Sequence, residues 1–496
     1  MKVALLFLLL ILCVVAAVGI FHFRKSVPSG LNERGPVRFL SPESVKFYAD
    51  ITAERSGGER WVSQEIFETV LQQIRSADRF IVADFFLINE FAGGPPEGVE
   101  KDDSLSSRFV EALVEAKRAS PAMPVILITD PLNTLYGGID QPLFEKLDQS
   151  GVEVVLTDLR QLRDSNLAYS AFWRAFFGWW GSPRGQLVKN PLGEGRIGLH
   201  AFLEMLNFKA NHRKLLIIGM NEGDTFGLVT SANPHSASSL HGNVALEFSG
   251  PLAVDLLRSE EAVYRMSTGE DFPLEIQKVL KTETIDEVKD EESLEAKIIT
   301  EKAIKRELLD QIGGLGKGDE LDLALFYFSD FELKRALVEA EERGATVRLL
   351  LDPSEDAFGR KKNGIPNRQV AQWLVQRGVE VRWFRTSGEQ FHTKMALFRY
   401  GGNRATLILG SANWTRRNLD NYNLETNVSL SGPISSPVFV EAGDYFSFVW
   451  GDDSRQGSEG VPSDLVTSLS FDKYHDPSAF RKVLYWIMER TGASTF

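Results

Sequence analysis

The sequence predicts a mixed α/β fold made of two similar halves. In each half the apolar pattern alternates between helix and strand in the same order, and a strand ending in Asp-Pro is followed by a Gly-Val-Glu-Val segment. Such alternation is typical of a mixed β-sheet with helices on both faces. The predicted helices are 63–76, 105–118, 302–312 and 331–343; the predicted strands are 80–88, 321–328, two that end at Asp130 and Asp352, and two that begin at 151 and 378. Asp130 and Asp352 are predicted to form turns.

A short chemical pattern occurs once in each half. His212-Arg213-Lys214 is followed by Ser231-Ala232-Asn233, and His392-Thr393-Lys394 is followed by Ser411-Ala412-Asn413. Apolar runs follow each HxK and precede each SxN, and they predict buried strands. Residues two apart on a strand share a face, so His projects with Lys and Ser with Asn. Each half is therefore expected to bring one full set of polar groups to a site.

A glutamate follows each SxN at similar spacing, Glu247 in the first half and Glu425 in the second. With the two motifs, this pattern resembles the phospholipase D superfamily, whose signature is HxKxxxxD followed by GSxN, usually present twice. The resemblance covers about residues 60–450. It implies that both halves form one pseudo-two-fold phospholipase D-like catalytic unit. It also implies a covalent phosphohistidine intermediate, with His212 as the nucleophile and His392 as the acid.

The sequence departs from that signature at its acidic position. Gly219 replaces the Asp in the first copy and Arg399 replaces it in the second, while Thr230 replaces the first Gly of GSxN. The family Asp is regarded as supportive, so the chemistry is expected to survive its loss. A catalytically silent relative that only binds is the alternative.

The residue types fit phosphoryl transfer. This reaction needs an in-line attacker, a proton donor opposite, and positive or hydrogen-bonding groups around the equatorial oxygens. Two histidines can serve as attacker and donor, while the serines hold hydrogen bonds and the glutamates orient the histidines through a ring N–H. The predicted catalytic residues are His212, Lys214, His392 and Lys394; the predicted phosphate-binding or supporting residues are Ser231, Asn233, Glu247, Ser411, Asn413 and Glu425. An HxK pair lacks the further ligands that zinc needs, so no metal and no cofactor are predicted.

Composition narrows the class of protein. A chain of 496 residues, 43% of them hydrophobic, predicts two to four domains with sizeable cores. The formal net charge of −13 disfavours nucleic acid as a partner, although a local basic groove can override the total charge. Cys13 is the only cysteine, which excludes intrachain disulfides and thiolate zinc sites.

The N-terminus carries an uninterrupted apolar run over residues 3–21, with basic residues on both sides. Nineteen residues can span a bilayer, whereas the apolar region of a signal peptide usually has about 7–15. Ala17-Val18-Gly19 offers a weak cleavage site, so secretion after cleavage is the alternative to a single-pass anchor. The flanking charges leave the orientation open. An N-terminus that stays inside would place the catalytic region outside the cytoplasm.

The first half contains an insertion at about 160–205. Gly378 precedes His392 by 14 positions, whereas Gly151 precedes His212 by 61. Residues 172–180 hold six large aromatic side chains. These rings either fill a local core or act as an interfacial wedge or a substrate-channel lid, because Trp and Phe beside basic residues partition to the headgroup level of a membrane.

The predicted organisation and function follow from these features. The expected segments are an anchor or signal at 1–23, a linker at 24–60, a first half at 61–275, a charged linker at 276–301, a second half at 302–455 and a helical tail at 456–496. The expected function is a phospholipase D-type phosphodiesterase acting on phospholipids of a membrane, by hydrolysis or by phosphatidyl transfer as in cardiolipin synthases. The alternatives are a nuclease of the same superfamily and a silent phosphate- or lipid-binding membrane protein. The oligomeric state stays open.

Overall fold

Two nine-stranded mixed β-sheets form the centre of the protein in the computed structural model, which describes residues 1–91, 103–220, 223–282, 291–357, 360–452 and 460–491. The helices are α1 Lys2–Arg24, α2 Ile66–Ser76, α3 Leu105–Ala119, α4 Pro142–Ser150, α5 Leu167–Phe176, α6 Leu199–Met205, α7 Pro251–Thr268, α8 Leu274–Lys281, α9 Lys302–Gly313, α10 Phe331–Glu342, α11 Asn367–Val375, α12 Arg416–Leu419, α13 Pro437–Trp450 and α14 Ala479–Thr491.

The strands are β1 Arg38–Leu40, β2 Val45–Arg55, β3 Arg60–Ser63, β4 Phe80–Phe85, β5 Val125–Thr129, β6 Glu153–Leu156, β7 Val188–Lys189, β8 Arg196–Ile197, β9 Lys214–Gly219, β10 Thr225–Thr230, β11 Asn243–Ser249, β12 Leu294–Thr300, β13 Glu320–Leu325, β14 Thr346–Leu351, β15 Asp356–Ala357, β16 Arg360–Lys361, β17 Glu380–Phe384, β18 Lys394–Tyr400, β19 Arg404–Gly410, β20 Thr426–Pro433, β21 Leu465–Val466 and β22 Ser468–Ser470.

The two sheets share one topology. The first has the order β21-β2-β11-β10-β9-β4-β5-β6, with β3 paired to β2, and the second has the order β1-β12-β20-β19-β18-β13-β14-β17-β22. The strands β4, β5 and β6 run parallel, as do β13, β14 and β17, and the other pairs in these sheets are antiparallel. Seven strands of one sheet thus match seven of the other in order. The predicted mixed α/β fold with two similar halves is confirmed.

The two halves bury their inner faces in one common core. Leu215 and Ile217 of β9 lie in the core that residues of both sheets share, whereas Leu216 and Ile218 face the outer core with residues of α2 and α3. In the second half, Leu397 of β18 faces the shared core. Successive side chains of a strand point to opposite faces, and both faces are covered, so these strands read as continuous apolar runs.

The expected linker at 24–60 is wrong, because strands form there. Strand β1 pairs with β12 in the second sheet, whereas β2 pairs with β11 in the first sheet. Near the other end of the chain, β21 pairs with β2 of the first sheet. The N-terminal segment therefore joins both sheets, and the strand at 465–466 ties the C-terminal region to the first half.

The expected charged linker at 276–301 is also too long. Helix α8 continues to Lys281, and β12 begins at Leu294 as an inner strand of the second sheet. Residues 283–290 lie outside the described residues, as does the boundary expected near 455 and the end of the chain from 492. The expected helical tail contains the short strands β21 and β22 before α14.

The insertion lies between β6 and β9 and holds α5, the hairpin of β7 and β8, and α6. Its aromatic run divides into two groups. Trp173 is buried and its Nε1 donates to Glu204 Oε2 at 3.1 Å, whereas Trp179 is 74% exposed and Trp180 is 53% exposed. Neither alternative describes the whole run, since one ring belongs to a local core and others face solvent.

Candidate active site

Each HxK motif stands at the start of a central strand and crosses to the opposite half. His212 directly precedes β9, and its backbone N–H donates to Leu424 O at 2.9 Å. His392 comes two residues before Lys394, which opens β18, and its N–H donates to Gly242 O at 2.8 Å. Each histidine therefore lies beside residues of the other half.

Glu425 of the second half holds His212 of the first. Its Oε2 lies 3.0 Å from His212 Nδ1, and it also accepts hydrogen bonds from Ser411 Oγ and Asn418 Nδ2. An ionised carboxylate can only accept, so Nδ1 of His212 carries the proton. Nε2 of His212 is left with a free lone pair.

Asn243 of the first half plays the corresponding part for His392. Its Oδ1 lies 3.2 Å from His392 Nδ1 and accepts from Ser231 Oγ at 3.0 Å. Its Nδ2 donates to His241 O at 3.0 Å, which fixes the orientation of the amide. One histidine therefore has a charged partner and the other a neutral one.

The expectation that Glu247 orients a histidine is wrong. Glu247 accepts from Tyr48 OH at 2.9 Å and pairs with Lys46 Nζ at 3.4 Å, both on β2. The register explains the difference, because Ser231 N–H donates to Val244 O in the first half and Ser411 N–H donates to Thr426 O in the second. The residue before each acceptor is Asn243 or Glu425, so these two are equivalent.

The lysines are buried beside their own histidines. Lys214 Nζ donates to His212 O at 2.7 Å, and Lys394 Nζ donates to His392 O at 2.6 Å. Each ammonium has three N–H donors, so further donors remain for an anion.

Two phenylalanines that lie outside the HxK and SxN motifs complete the pair of sites. Phe86 lies with its ring centroid 5.0 Å from that of His212, and Phe326 lies 4.8 Å from His392. The same rings lie 5.3 Å and 5.0 Å from Lys214 Nζ and Lys394 Nζ. Both follow the last residue of an equivalent strand, β4 or β13, so alignment of the two halves would have found them.

The electrostatics of this cluster favour an anion. Burial, opposed by Glu425, lowers the pKa of His212 to about 4, and burial lowers that of Lys214 to about 7. Burial also holds the pKa of His392 and of Lys394 well below their usual ranges, and neighbouring Lys214 adds to both shifts. A bound phosphodiester would favour the protonated forms, because an opposite charge stabilises them.

The two asparagines of the SxN motifs lie in the same buried region but are bonded differently. Asn233 Oδ1 accepts from the N–H of Leu87 at 3.3 Å. Asn413 Oδ1 is buried and has no hydrogen-bond partner among the residues that the structure describes. A buried acceptor of this kind usually has a partner, so Asn413 is suited to bind a ligand.

The aspartates expected to form turns also position the histidine segments. Asp130 accepts from the N–H of Leu132 and from that of Asn211, the neighbour of His212, both at 2.7 Å. Asp352 makes the two equivalent bonds, at 2.7 and 2.8 Å. Their role therefore extends beyond the local turn.

The positions of the missing signature Asp lie far from the cluster. A strand advances by about 3.3 Å per residue, so Gly219 lies roughly 16 Å along β9 from Lys214. A Cβ at Gly219 would lie 2.2 Å from the Phe80 ring, which explains why this position has no side chain. Arg399 pairs with Asp322 and with Glu320 at 3.3 Å. Neither replacement touches the histidines.

Converting Asn243 to Asp should extend activity to higher pH. A carboxylate beside Nδ1 stabilises the imidazolium of His392 and raises its pKa, by about one to three units for a close charge. If His392 donates a proton, the alkaline limb of the kcat/KM profile moves upward by a similar amount. The profile is measured on a soluble phosphodiester. Glu425→Gln is the reciprocal control: it lowers the pKa of His212 and moves the acid limb downward. An unchanged alkaline limb in Asn243→Asp would contradict these roles.

Comparisons with known proteins agree with this fold. Residues 314–450 match the family model described as cardiolipin synthase, PLD-like domain. Comparison with curated protein sequences finds no match. Phosphatidylserine synthase from Haemophilus influenzae Rd KW20 has a similar structure, with a TM-score of 0.56 at 10% identity over 93% of this chain and 96% of that one.

Two other solved structures match with lower scores. Polyphosphate kinase from Porphyromonas gingivalis has a TM-score of 0.43 at 12% identity and covers 88% of this chain and 55% of its own. Nuc from Salmonella typhimurium, a phospholipase D family member, has a TM-score of 0.25 at 15% identity and covers 32% of this chain and 95% of its own. By these findings residues 314–450 form a PLD-like domain of the phospholipase D superfamily, and the fold of the whole chain is similar to that of a phosphatidylserine synthase.

Proposed function

We propose that the protein is a membrane-anchored phospholipase D-type phosphodiesterase that hydrolyses phospholipids or transfers their phosphatidyl group. The observation that carries this proposal is the pairing of each histidine with an acceptor from the other half, Glu425 for His212 and Asn243 for His392. One cluster then contains two imidazoles, and a two-step displacement at phosphorus can use one as the nucleophile and the other as the proton donor.

His212 is the nucleophile in this proposal. The carboxylate of Glu425 holds the Nδ1 proton, so Nε2 can attack phosphorus in line. Attack places positive charge on the ring, and the adjacent carboxylate stabilises that charge as it does in other acid–histidine pairs. The P–N bond forms as the bond from phosphorus to the leaving oxygen breaks.

His392 is the proton donor for the leaving oxygen. Asn243 fixes the ring but brings no negative charge, so the proton is released more readily than it would be beside a carboxylate. In the second step His392 takes a proton from water or from an alcohol, which attacks the phosphohistidine and frees His212. Water gives hydrolysis and an alcohol gives transfer.

The lysines and asparagines would bind the nonbridging oxygens. Lys214 and Lys394 are buried, where a fixed positive charge stabilises developing negative charge more strongly than in water. Asn233 and Asn413 could bond the phosphate through their amides. This arrangement needs no metal ion.

The proposal favours an active enzyme over a silent binding protein. Both histidines keep their acceptors, and the replaced signature positions lie at the far ends of their strands. Gly219 and Arg399 therefore leave the reacting groups intact.

The N-terminal helix supports membrane anchoring. Helix α1 has 23 residues, is long and apolar enough to cross a bilayer, and buries only Gly19. Its last turn and Lys25 are bonded into the folded part: Asp164 N–H donates to His22 O at 3.4 Å, and Lys25 Nζ donates to Arg160 O at 2.7 Å. These contacts involve residues after Gly19, so they fit both an anchor and a cleaved signal. The length of the apolar run favours an uncleaved anchor, and we propose that the catalytic region lies outside the cytoplasm.

The full-length protein should release head group, or form a transfer product with added alcohol, from phospholipid vesicles in the presence of EDTA. The assay runs in parallel on a single-stranded DNA oligonucleotide, with Lys394→Met as the control expected to be inactive. DNA cleavage without lipid turnover would favour a nuclease. The absence of both activities would favour a catalytically silent protein. Inhibition by EDTA that a divalent ion reverses would contradict the metal-free mechanism.

A further inference from the structure

The apolar helix α1 leaves the folded part of the protein at the insertion. An added Cβ at Gly19 would lie 3.2 Å from Ala171 Cβ and 3.3 Å from Leu167 Cδ1, so α1 touches α5 closely at this glycine. Beyond the helix, Arg163 Nε donates to Lys25 O at 2.7 Å. A bilayer crossed by α1 would therefore meet the insertion first.

The insertion presents apolar side chains to the outside. Trp179 is 74% exposed and Leu187 is 71% exposed, and the other large exposed apolar residues there are Leu167, Phe172, Trp180 and Leu199. Trp rings favour the interface between headgroups and acyl chains. Their position next to the end of α1 is consistent with contact between the insertion and the membrane surface.

A groove opens between these rings and the carboxyl ends of β5 and β6. It has a volume of about 520 Å³, and its lining includes Trp179, Trp180 and Glu204 of the insertion and Pro131, Thr157, Asp158 and Arg160, which follow β5 and β6. A neighbouring cavity of about 200 Å³ shares Arg160 and Trp179 and reaches His22 of α1. A groove of this volume, lined by apolar side chains and a few charged groups, is typical of small-molecule sites.

The inner wall of the groove is bonded to the His212 segment. Asn211 Nδ2 donates to Thr157 Oγ1 at 3.0 Å, and Asp130, which precedes Pro131, accepts from Asn211 N–H at 2.7 Å. Asn211 directly precedes His212. The wall of the groove at Thr157 is thus bonded to the residue beside the proposed nucleophile, and the neighbouring cavity reaches the end of α1.

We infer that this groove binds a single glycerophospholipid drawn from the bilayer and guides its phosphodiester toward His212. Trp179 and Trp180 would cover the glycerol and upper acyl region, and Arg160, which also pairs with Glu204 Oε2 at 3.5 Å, would face the phosphate of the head group. This inference rests on the proposed function for the fate of the lipid. The lipid site itself can be tested without turnover.

Photo-crosslinking tests occupancy of the groove. The full-length His392→Ala variant is reconstituted in vesicles of phosphatidylcholine and phosphatidylglycerol that contain a phosphatidylcholine with a diazirine near the glycerol end of one acyl chain. Labelled peptides from 156–187 are expected, and the Leu156→Trp substitution, which places a larger ring in the groove, should reduce their labelling. Leu156 is 40% exposed, so the fold can accommodate the larger ring. Labelling confined to α1, or unchanged labelling in Leu156→Trp, would overturn the inference.

Turnover supplies the second readout. Trp179→Ser with Trp180→Ser should lower turnover of vesicle phospholipid roughly tenfold and leave that of a short-chain soluble phospholipid within about twofold. Leu274→Ser on α8 is the matched control, since Leu274 is 77% exposed and outside the insertion. Equal losses on both substrates, with a lower melting temperature, would overturn the inference and make these rings part of a core. If the groove is labelled but the protein does not turn over phospholipid, the proposed function is wrong and the lipid site still stands.

Discussion

Replacing His212 by Ala should abolish turnover of every phosphodiester, whereas replacing His392 by Ala should spare the first step, release of the leaving group, for substrates whose leaving group needs no proton. Without His212 no bond to phosphorus can form, so the loss is expected to reach about 10³-fold or more. Without His392 the leaving alkoxide must depart unprotonated, which costs about 10²–10⁴-fold. A p-nitrophenyl phosphodiester removes that requirement, because p-nitrophenolate leaves without protonation.

The measurement compares the rate of leaving-group release in a single turnover for an alkyl and a p-nitrophenyl phosphodiester in both variants. In His392→Ala the second step is also slowed, so the phosphorylated enzyme should accumulate and mass spectrometry should map the modification to His212. His475→Ala is the control, because His475 bonds Gln372 at an exposed site. Retention of the p-nitrophenyl activity in His212→Ala, or its loss in both variants alike, would reverse or remove the assigned roles.

The repeat of motifs and elements made the fold predictable from sequence. The apolar runs after each HxK are central strands covered on both faces. Their continuous hydrophobicity is therefore enough to identify them as strands from the sequence. Strand β1 and the C-terminal β21 could not be predicted in this way, because each is short and is stabilised by pairing with a distant strand. Local apolar patterning carries little information about such edge pairing.

The acceptor of His392 could not be predicted by counting residues. The step from Ser231 to Asn243 is 12 positions and that from Ser411 to Glu425 is 14, so equal spacing does not identify equivalent residues. Hydrogen-bond register decides which side chain reaches the ring, and a shift along a strand changes the residue presented. Nothing in the sequence around Asn243 indicates that this asparagine occupies the position equivalent to Glu425.

The second large effect concerns stability and involves the middle residue of the first HxK. Arg213 is fully buried and pairs with Glu260 at 2.7 Å and with Glu301 at 2.8 Å. Glu301 precedes α9 in the second half and also accepts from the N–H of Glu425 at 3.1 Å. Arg213 therefore ties the two halves together on the side of β9 that faces away from His212 and Lys214.

Arg213→Ala should destabilise the protein by about 3–5 kcal/mol, because it leaves two buried carboxylates without their counterion. The expected observation is a fall of about 5 °C or more in the midpoint of thermal unfolding, followed by circular dichroism. Arg335→Ala is the control: its ion pair with Glu339 is exposed on α10, and such pairs contribute about 0–1 kcal/mol. At low temperature the folded fraction of Arg213→Ala should retain turnover, since the reacting groups are unchanged. An unfolding midpoint equal to that of the unsubstituted protein would mean that the halves are held together by their shared apolar core alone.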